Sequence, residues 1–121
     1  MTIDSALFTL LGALVGKRCY PDITPPGADF PLIVYQTVGG ESLEFLERRL
    51  PDSENYRVQV HCWAKTRLQA SALALQVRQQ IIEHGAAFVS AKTLGQRAAL
   101  YEEGLKLYGT RQDFGIWIKE R

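Results

Sequence analysis

The sequence is poor in the residues that most often build disulfides, metal sites and active sites. Its 121 residues include two cysteines, Cys19 and Cys62, and two histidines, His61 and His84. Two cysteines do not make a disulfide framework, so we predict that both are buried free thiols acting as small hydrophobic residues. Neither histidine has a second ligand at the spacing of a metal site. We therefore predict no metal, no cofactor and no catalytic group.

An excess of one charge and long hydrophobic runs are also missing. The chain has 14 basic and 13 acidic residues, a net charge of +1 and no basic run. This balance argues against a general nucleic-acid-binding protein. No run approaches the roughly 18 apolar residues of a membrane span, and Asp4 interrupts the N-terminus where a signal peptide would be apolar. We expect a single α+β domain over residues 1–121, made in the cytoplasm and not associated with a membrane.

The clearest pattern is a strand followed at once by a long helix. Residues 56–63 alternate between apolar and polar side chains, which is typical of a strand with one buried face. Thr66, with Gln69 three residues later, forms a capping box and predicts the start of the helix. The helix is expected to run to His84 and to end at Gly85.

Two apolar stripes run along this helix on different sides. The first stripe consists of Ala70, Leu73, Ala74, Val77 and Ile81. The second stripe consists of Leu68, Ala72, Leu75 and Ile82. We expect one stripe to pack on the sheet and leave two alternatives for the other, a second helix of the same chain or a neighbouring subunit.

The remaining surface of the helix is polar but carries little charge. Surfaces that are rich in amides and poor in charge suit protein contacts better than bare solvent. The candidate subunit-interface residues are Arg67, Gln69, Gln76, Arg78, Gln79 and Gln80.

The flanking segments complete an α+β pattern. Residues 3–15 are predicted to form a first helix, and the prolines of residues 19–31 predict a connector without sheet pairing. Further strands are predicted at residues 32–38, 88–90, 96–103 and 105–119. We predict a twisted antiparallel sheet with two helices packed on one face, in the order α-β-β-α-β-β.

Specific packing expectations follow from this arrangement. Gly109 and Gly115 are expected to mark a bulge or bend in the last strand. The residues predicted to be buried together are Leu10, Leu14, Val34, Val58, Val60, Leu73, Val77, Phe114 and Ile116.

Residues 41–55 follow no regular period. Loops of this length inside a compact domain are usually functional or disordered. We predict a mobile loop, either a solvated hairpin tip or a segment that becomes ordered on contact with a partner. The candidate loop residues are Glu41, Glu44, Glu47, Arg48 and Arg49.

One polar cluster is the only candidate for an enzyme or small-ligand site. Arg57, Gln59 and His61 share the polar face of one strand, and Asp113 is expected nearby on the last strand. The sequence has no Gly-x-Ser-x-Gly, His-Glu-x-x-His or Gly-x-Gly-x-x-Gly motif. The residues alone therefore indicate a binding or assembly module.

The order and spacing of five segments suggest a family. They are Leu32-Ile33-Val34-Tyr35-Gln36, Tyr56-Arg57-Val58-Gln59-Val60, Trp63-Ala64, the alanine-rich long helix and Phe114-Gly115-Ile116-Trp117. Together they resemble the tail-completion, or head–tail joining, proteins of long-tailed bacteriophages and prophages. The resemblance covers nearly the whole chain, although relatives often have an acidic residue in place of His61 and an aliphatic residue in place of Cys62.

The resemblance implies a non-enzymatic subunit of a ring, six-fold in symmetry, that caps the tail tube where it meets the head. Its partners would be further copies of itself, the tail tube protein and the head connector proteins, without specific nucleic-acid binding. It would reside in the virion tail and, during assembly, in the host bacterial cytoplasm. The isolated subunit could be a monomer. The alternative is a small α+β ligand-binding domain or enzyme with a site near His61.

Overall fold

A computed structural model describes residues 1–44 and 46–120, which form a six-stranded sheet with two helices on one face. The helices are α1 (Ile3–Gly12) and α2 (Arg67–Glu83). The strands are β1 (Cys19–Pro21), β2 (Leu32–Thr37), β3 (Glu54–Ala64), β4 (Ser90–Thr93), β5 (Ala98–Glu102) and β6 (Leu107–Ile118). The predicted α+β class, with both helices on the same side of the sheet, is confirmed.

The long antiparallel pair β3 and β6 forms the centre of the sheet. Their ladder runs without interruption from Glu54 opposite Ile118 to Ala64 opposite Tyr108. The strand order is β1-β2-β3-β6-β4, and β5 pairs with the other end of β6 on the same side as β4. Because β6 pairs residue for residue with β3 through Gly109 and Gly115, the predicted bulge at these glycines is wrong.

The sheet is mixed because β1 pairs parallel with β2, so the connector predicted for residues 19–31 contains a strand. The proline in β1, Pro21, is its last residue and lies on an outer strand, where a missing N–H donor is tolerated. A second boundary also differs from prediction. The strand expected at residues 88–90 is found at Ser90–Thr93, because Phe88 turns into the core.

Thr66, predicted to begin the helix, is the N-cap of α2. The Thr66 hydroxyl accepts a hydrogen bond from the backbone N–H of Gln69 at 3.2 Å. At the other end His84 is the C-cap, and Gly85 follows without the positive φ that favours glycine at such ends. Glycine is needed there for space, since a Cβ would lie 2.6 Å from both the carbonyl oxygen of Ile81 and the ring of Phe88.

The main core lies between the helices and the sheet. All five residues of the first stripe of α2 are buried, as predicted. They form one cluster with strand residues that include Val58, Val60, Phe114 and Ile116. Leu10 and Leu14 are only partly buried at its margin. Val34 is buried outside this cluster, because it pairs with His61 on the helix-free face, so its assignment to this core was wrong.

The first helix is shorter than predicted. It ends at Gly12, and residues 13–17 continue as tight turns that still bury Val15. Both cysteines are buried free thiols, as predicted. No helix in residues 1–44 and 46–120 has the length and apolar character needed to cross a membrane.

Candidate functional site

The polar residues singled out on β3 and β6 do come together, on the helix-free face of the sheet. Oδ2 of Asp113 accepts hydrogen bonds from Arg57, with Nε and Nη2 each at 2.8 Å. Oδ1 of Asp113 accepts from Nε2 of Gln59 at 3.2 Å. The side-chain oxygen of Gln59 lies 3.0 Å from Nε2 of His61. These four side chains form a continuous chain of hydrogen bonds, which we call the polar row.

The polar row also determines which ring nitrogen of His61 carries a proton. Because Gln59 donates its amide N–H to Asp113, its oxygen faces His61, and Nε2 of the imidazole is the donor in that contact. Burial lowers the pKa of His61, the charge of Arg111 lowers it further, and Asp113 opposes both effects. Burial and Arg111 therefore favour the neutral form of the imidazole.

The polar row lacks a group that is ready to react. Asp113 already accepts from Arg57 and Gln59, and Gln59 separates it from His61, so it is not positioned as a base or as an orienting carboxylate. Cys62 points into the core, where burial raises the pKa of its thiol to about 12. No group of three or more His, Cys, Asp or Glu side chains in the described residues could hold a metal ion. The polar row therefore does not combine a nucleophile, a base and an orienting group.

A groove of about 560 Å³ opens beside the polar row on the same face. Arg57 and Lys92 contribute positive charge to its wall, and Trp117 contributes an aromatic surface. Gly40 and Glu41, from the loop between β2 and β3, form one border. The start of this loop therefore lies at the helix-free face.

The opposite side of the molecule presents the second stripe of α2 to solvent. Leu68 is 85% exposed, Leu75 is 50% exposed and Ile82 is 43% exposed. The alternative in which this stripe packs on a second helix of the same chain is therefore wrong. Five predicted interface residues are exposed on the same helix, while Gln80 is half-buried. They are Arg67, Gln69, Gln76, Arg78 and Gln79.

The loop between β2 and β3 covers residues 38–53 and is held at both ends. Asn55, predicted to belong to the loop, is part of β3, and its side-chain oxygen accepts from the Glu41 N–H at 2.8 Å. Its side-chain nitrogen donates to the carbonyl oxygen of Ile116. Gly40 has φ of +144°, and a Cβ there would collide with the Asn55 carbonyl. The loop is therefore attached firmly at its base.

Exposed charges and leucines occupy the middle of the loop, in which Phe45 lies outside the described residues. The predicted loop residues Glu41, Glu44, Glu47, Arg48 and Arg49 are all exposed. Three leucines, which the sequence interpretation left aside, are exposed too; Leu43 is 46%, Leu46 is 103% and Leu50 is 58% exposed. These leucines do not follow the spacing of a helix or strand with a buried side. That absence of a period was the sequence signal that could have marked them as surface residues.

Comparison with known proteins identifies the family. Residues 3–119 match the family described as Tail completion protein gp17. The chain belongs to this tail completion family. No curated protein matches the sequence. A chain of the solved structure "Virion of native gene transfer agent (GTA) particle" is similar in fold, with a TM-score of 0.60 at 17% sequence identity. The similarity covers 91% of this chain and 84% of that chain.

Membership in the tail completion family makes this a bacteriophage structural protein that acts in virion assembly. For such a protein the relevant surfaces are those that meet other subunits. The helix-free face carries satisfied polar side chains, whereas the second stripe and the loop leucines expose apolar side chains. Exposed apolar side chains that share one side of a helix, as in the second stripe, form the kind of patch found at protein contacts. The second stripe and the loop are therefore the candidate site of this tail completion protein.

Proposed function

We propose that this tail completion protein is one subunit of a closed ring at the head-proximal end of the phage tail. The ring, with six copies, would cap the tail tube protein and present a surface to the head connector proteins. The match of residues 3–119 to the tail completion family carries this proposal. The exposed second stripe of α2 supports it, because it gives the subunit an apolar surface in need of a partner.

A ring places a specific demand on the subunit. Each copy contacts the next through two different surfaces, and the rotation between copies must close. We expect the second stripe and the loop leucines to be these two surfaces, because both expose apolar side chains. The candidate interface residues on α2, Arg67 and Arg78 among them, would lie at or beside the contact.

If each contact between subunits is small, the ring would form only on the tail tube, which would serve as its template. Interfaces below about 800 Å² per partner tend to be weak, and a tail tube that gathers several subunits raises their effective concentration. A monomer in dilute solution is therefore compatible with the proposed role. The net charge of +1 also suits a channel through which DNA passes without tight binding.

The role requires no catalysis, and this separates it from the enzyme alternative. The triple variant Arg57→Ala, Gln59→Ala and His61→Ala removes most of the polar row and should remain folded, because these side chains lie on the helix-free face. A turnover or ligand affinity in the pure protein that this variant abolishes would contradict the structural role.

The direct experiment uses phage particles made without the protein. We expect filled heads and tails that fail to join, or tails of uncontrolled length, in electron micrographs of lysates. Expression of the wild-type protein from a plasmid should restore joined particles. Normal infectious particles in the absence of the protein would refute the proposal.

A further inference from the structure

We propose that the loop of one subunit packs on the second stripe of α2 in the neighbouring copy of the same chain. This inference rests on the proposed ring and names the repeated contact that would build it. The loop is represented by Leu43, Leu46 and Leu50, and the stripe by Leu68, Leu75 and Ile82.

Both surfaces are apolar and lack a cover within the described part of the chain. Leu68, Leu75 and Ile82 are spaced seven residues apart, so they follow one line along the helix, about 21 Å long at 1.5 Å per residue. The loop offers its own exposed leucines, of which Leu46 is the most exposed. Burying such side chains against each other would remove apolar area from water on both copies.

The two surfaces are complementary in charge over part of their length, since residues 41–47 of the loop carry only acidic charges before Arg48 and Arg49, and Arg67 and Arg78 lie along the stripe before Glu83. Glu41 and Glu44 flank Leu43, and no basic residue lies between positions 41 and 47. On α2, Arg67 and Arg78 accompany the stripe. In residues 1–44 and 46–120 neither glutamate carboxylate takes part in an ion pair. The same holds for both arginines, so all four charges are available to a partner.

The positions of the two surfaces favour a contact between copies over one within a chain. Gly40 and Glu41 border the groove on the helix-free face. The second stripe faces solvent on the outer side of α2, whose first stripe packs on the other face of the sheet. The sheet thus separates the start of the loop from the stripe of its own chain. A subunit that uses two different surfaces, one beginning on the helix-free side and one on the helix side, can form the head-to-tail contacts of a ring.

Disulfide trapping in assembled particles tests the contact. The double variant Leu46→Cys/Leu75→Cys is supplied to phage that lack the protein, and oxidation follows after the particles have been purified. We expect a ladder of covalent species, up to the closed ring, on a non-reducing gel. The native thiols do not interfere, because Cys19 and Cys62 are buried.

Matched variants make the result specific. Leu46→Cys or Leu75→Cys alone should give no ladder, and the pair Leu46→Cys/Ile23→Cys should give none either, although Ile23 is 74% exposed. Dimers from Leu75→Cys alone would show that two α2 helices pair with each other, which would overturn the proposal. A ladder of equal strength with Ile23→Cys would show unspecific collisions and would also overturn it.

Charge reversal provides a second measurement in case the cysteine variants do not assemble. Glu44→Arg and Arg78→Glu should each lower the yield of joined particles on the order of tenfold, since the contact repeats around the ring. Combining them should restore the yield. A different outcome is joined particles that contain the protein and yet show neither the disulfide ladder nor rescue by the combined charge variants. That result would reject the proposed loop contact but not the proposed ring. Normal particles without any of the protein would instead reject the ring.

Discussion

Trp63 on β3 occupies the space that a side chain on Gly109 of β6 would need. The two residues are direct partners in the antiparallel ladder, and a Cβ on Gly109 would lie 2.6 Å from Cε3 of the indole. Gly115, on the same strand, lacks this constraint, because the nearest atom to its Cβ would be Cδ1 of Leu94 at 3.6 Å. One glycine makes room for an aromatic ring, while the other has ordinary space beside it.

We therefore predict that Gly109→Ala lowers the free energy of unfolding by about 1–3 kcal/mol, the usual cost of overpacking. Gly115→Ala is the matched control and should change it by less than about 0.5 kcal/mol. Urea denaturation measures both. Equal effects in the two variants would show that the indole of Trp63 moves aside without cost.

Two leucines two positions apart on α2 distinguish its buried side from its exposed side. Leu73 is 4% exposed within the core, and Leu75 is 50% exposed in the second stripe. We predict that Leu73→Ala costs about 2–5 kcal/mol, whereas Leu75→Ala changes stability by less than about 0.5 kcal/mol. Thermal melting of the isolated subunits measures this. A large loss for Leu75→Ala in a monomer would contradict the assignment of the stripes.

The end of the chain is tied to α1 through Glu120, and this contact predicts a pH dependence. Glu120 accepts from the Tyr56 hydroxyl and, at 2.8 Å, from the backbone N–H of Ile3. The hydrogen bond to Glu120, helped by burial, raises the pKa of Tyr56 to about 12. Its contribution to stability is complete below the ordinary tyrosine pKa of about 10 and is lost as the pH rises through the folded value.

Unfolding in urea between pH 8 and 11 tests this contribution. The wild-type protein should lose stability with rising pH, and Tyr56→Phe should lose less, because it has no hydroxyl to ionise. The pKa of Tyr35 is also raised, by burial and by its hydrogen bond to Asp4, but it is present in both proteins. Identical pH profiles would show that the Tyr56–Glu120 hydrogen bond contributes nothing to stability.

The two thiols are predicted to be unreactive in the folded protein. Burial raises the pKa of Cys19 and of Cys62 to about 12 in each case. Only roughly one thiol in ten thousand would be ionised at pH 8, and the thiolate is the reactive form. Iodoacetamide should therefore label them far more slowly in buffer than in urea, as followed by mass spectrometry. Equal labelling rates would contradict their burial.

A disulfide between these cysteines is also excluded by the sheet. Cys19 and Cys62 both pair with Ile33, from opposite sides of β2. Two strand spacings put their Cα atoms about 9.5 Å apart, beyond the roughly 7 Å that a disulfide spans. The melting temperature should consequently not depend on added reductant.

The loop prediction can be tested in the isolated subunit by amide hydrogen exchange. Residues 41–50 are exposed where described and form no ladder, whereas residues 58–62 lie in the centre of the sheet. We expect fast exchange in the loop and slow exchange in β3. Protection of the loop as strong as that of β3 would contradict its predicted mobility. In assembled particles the proposed contact should slow its exchange.

Local patterns in the sequence were sufficient for the strand β3 and the helix α2 and for the buried sides of both. The alternation of residues 56–63 predicts which side chains of β3 face the core, and Thr66 with Gln69 predicts the start of α2. The five residues of the first stripe are all buried, as predicted. These features follow from periods of two and 3.6 residues, which are properties of a single strand or helix and need no knowledge of its neighbours.

Pairing and exposure, in contrast, depend on segments that are distant in the sequence. The β3–β6 register places Asp113 opposite Gln59 and so assembles the polar row, which neither strand contains alone. β1 forms by parallel pairing with β2, a segment distant in the sequence. The prolines of residues 19–31 had locally predicted a connector without sheet pairing. The second stripe had the same apolar pattern as a buried one. Only the packing of the whole chain shows that no element covers Leu68, Leu75 and Ile82 in the described residues, because burial is a property of neighbours in space.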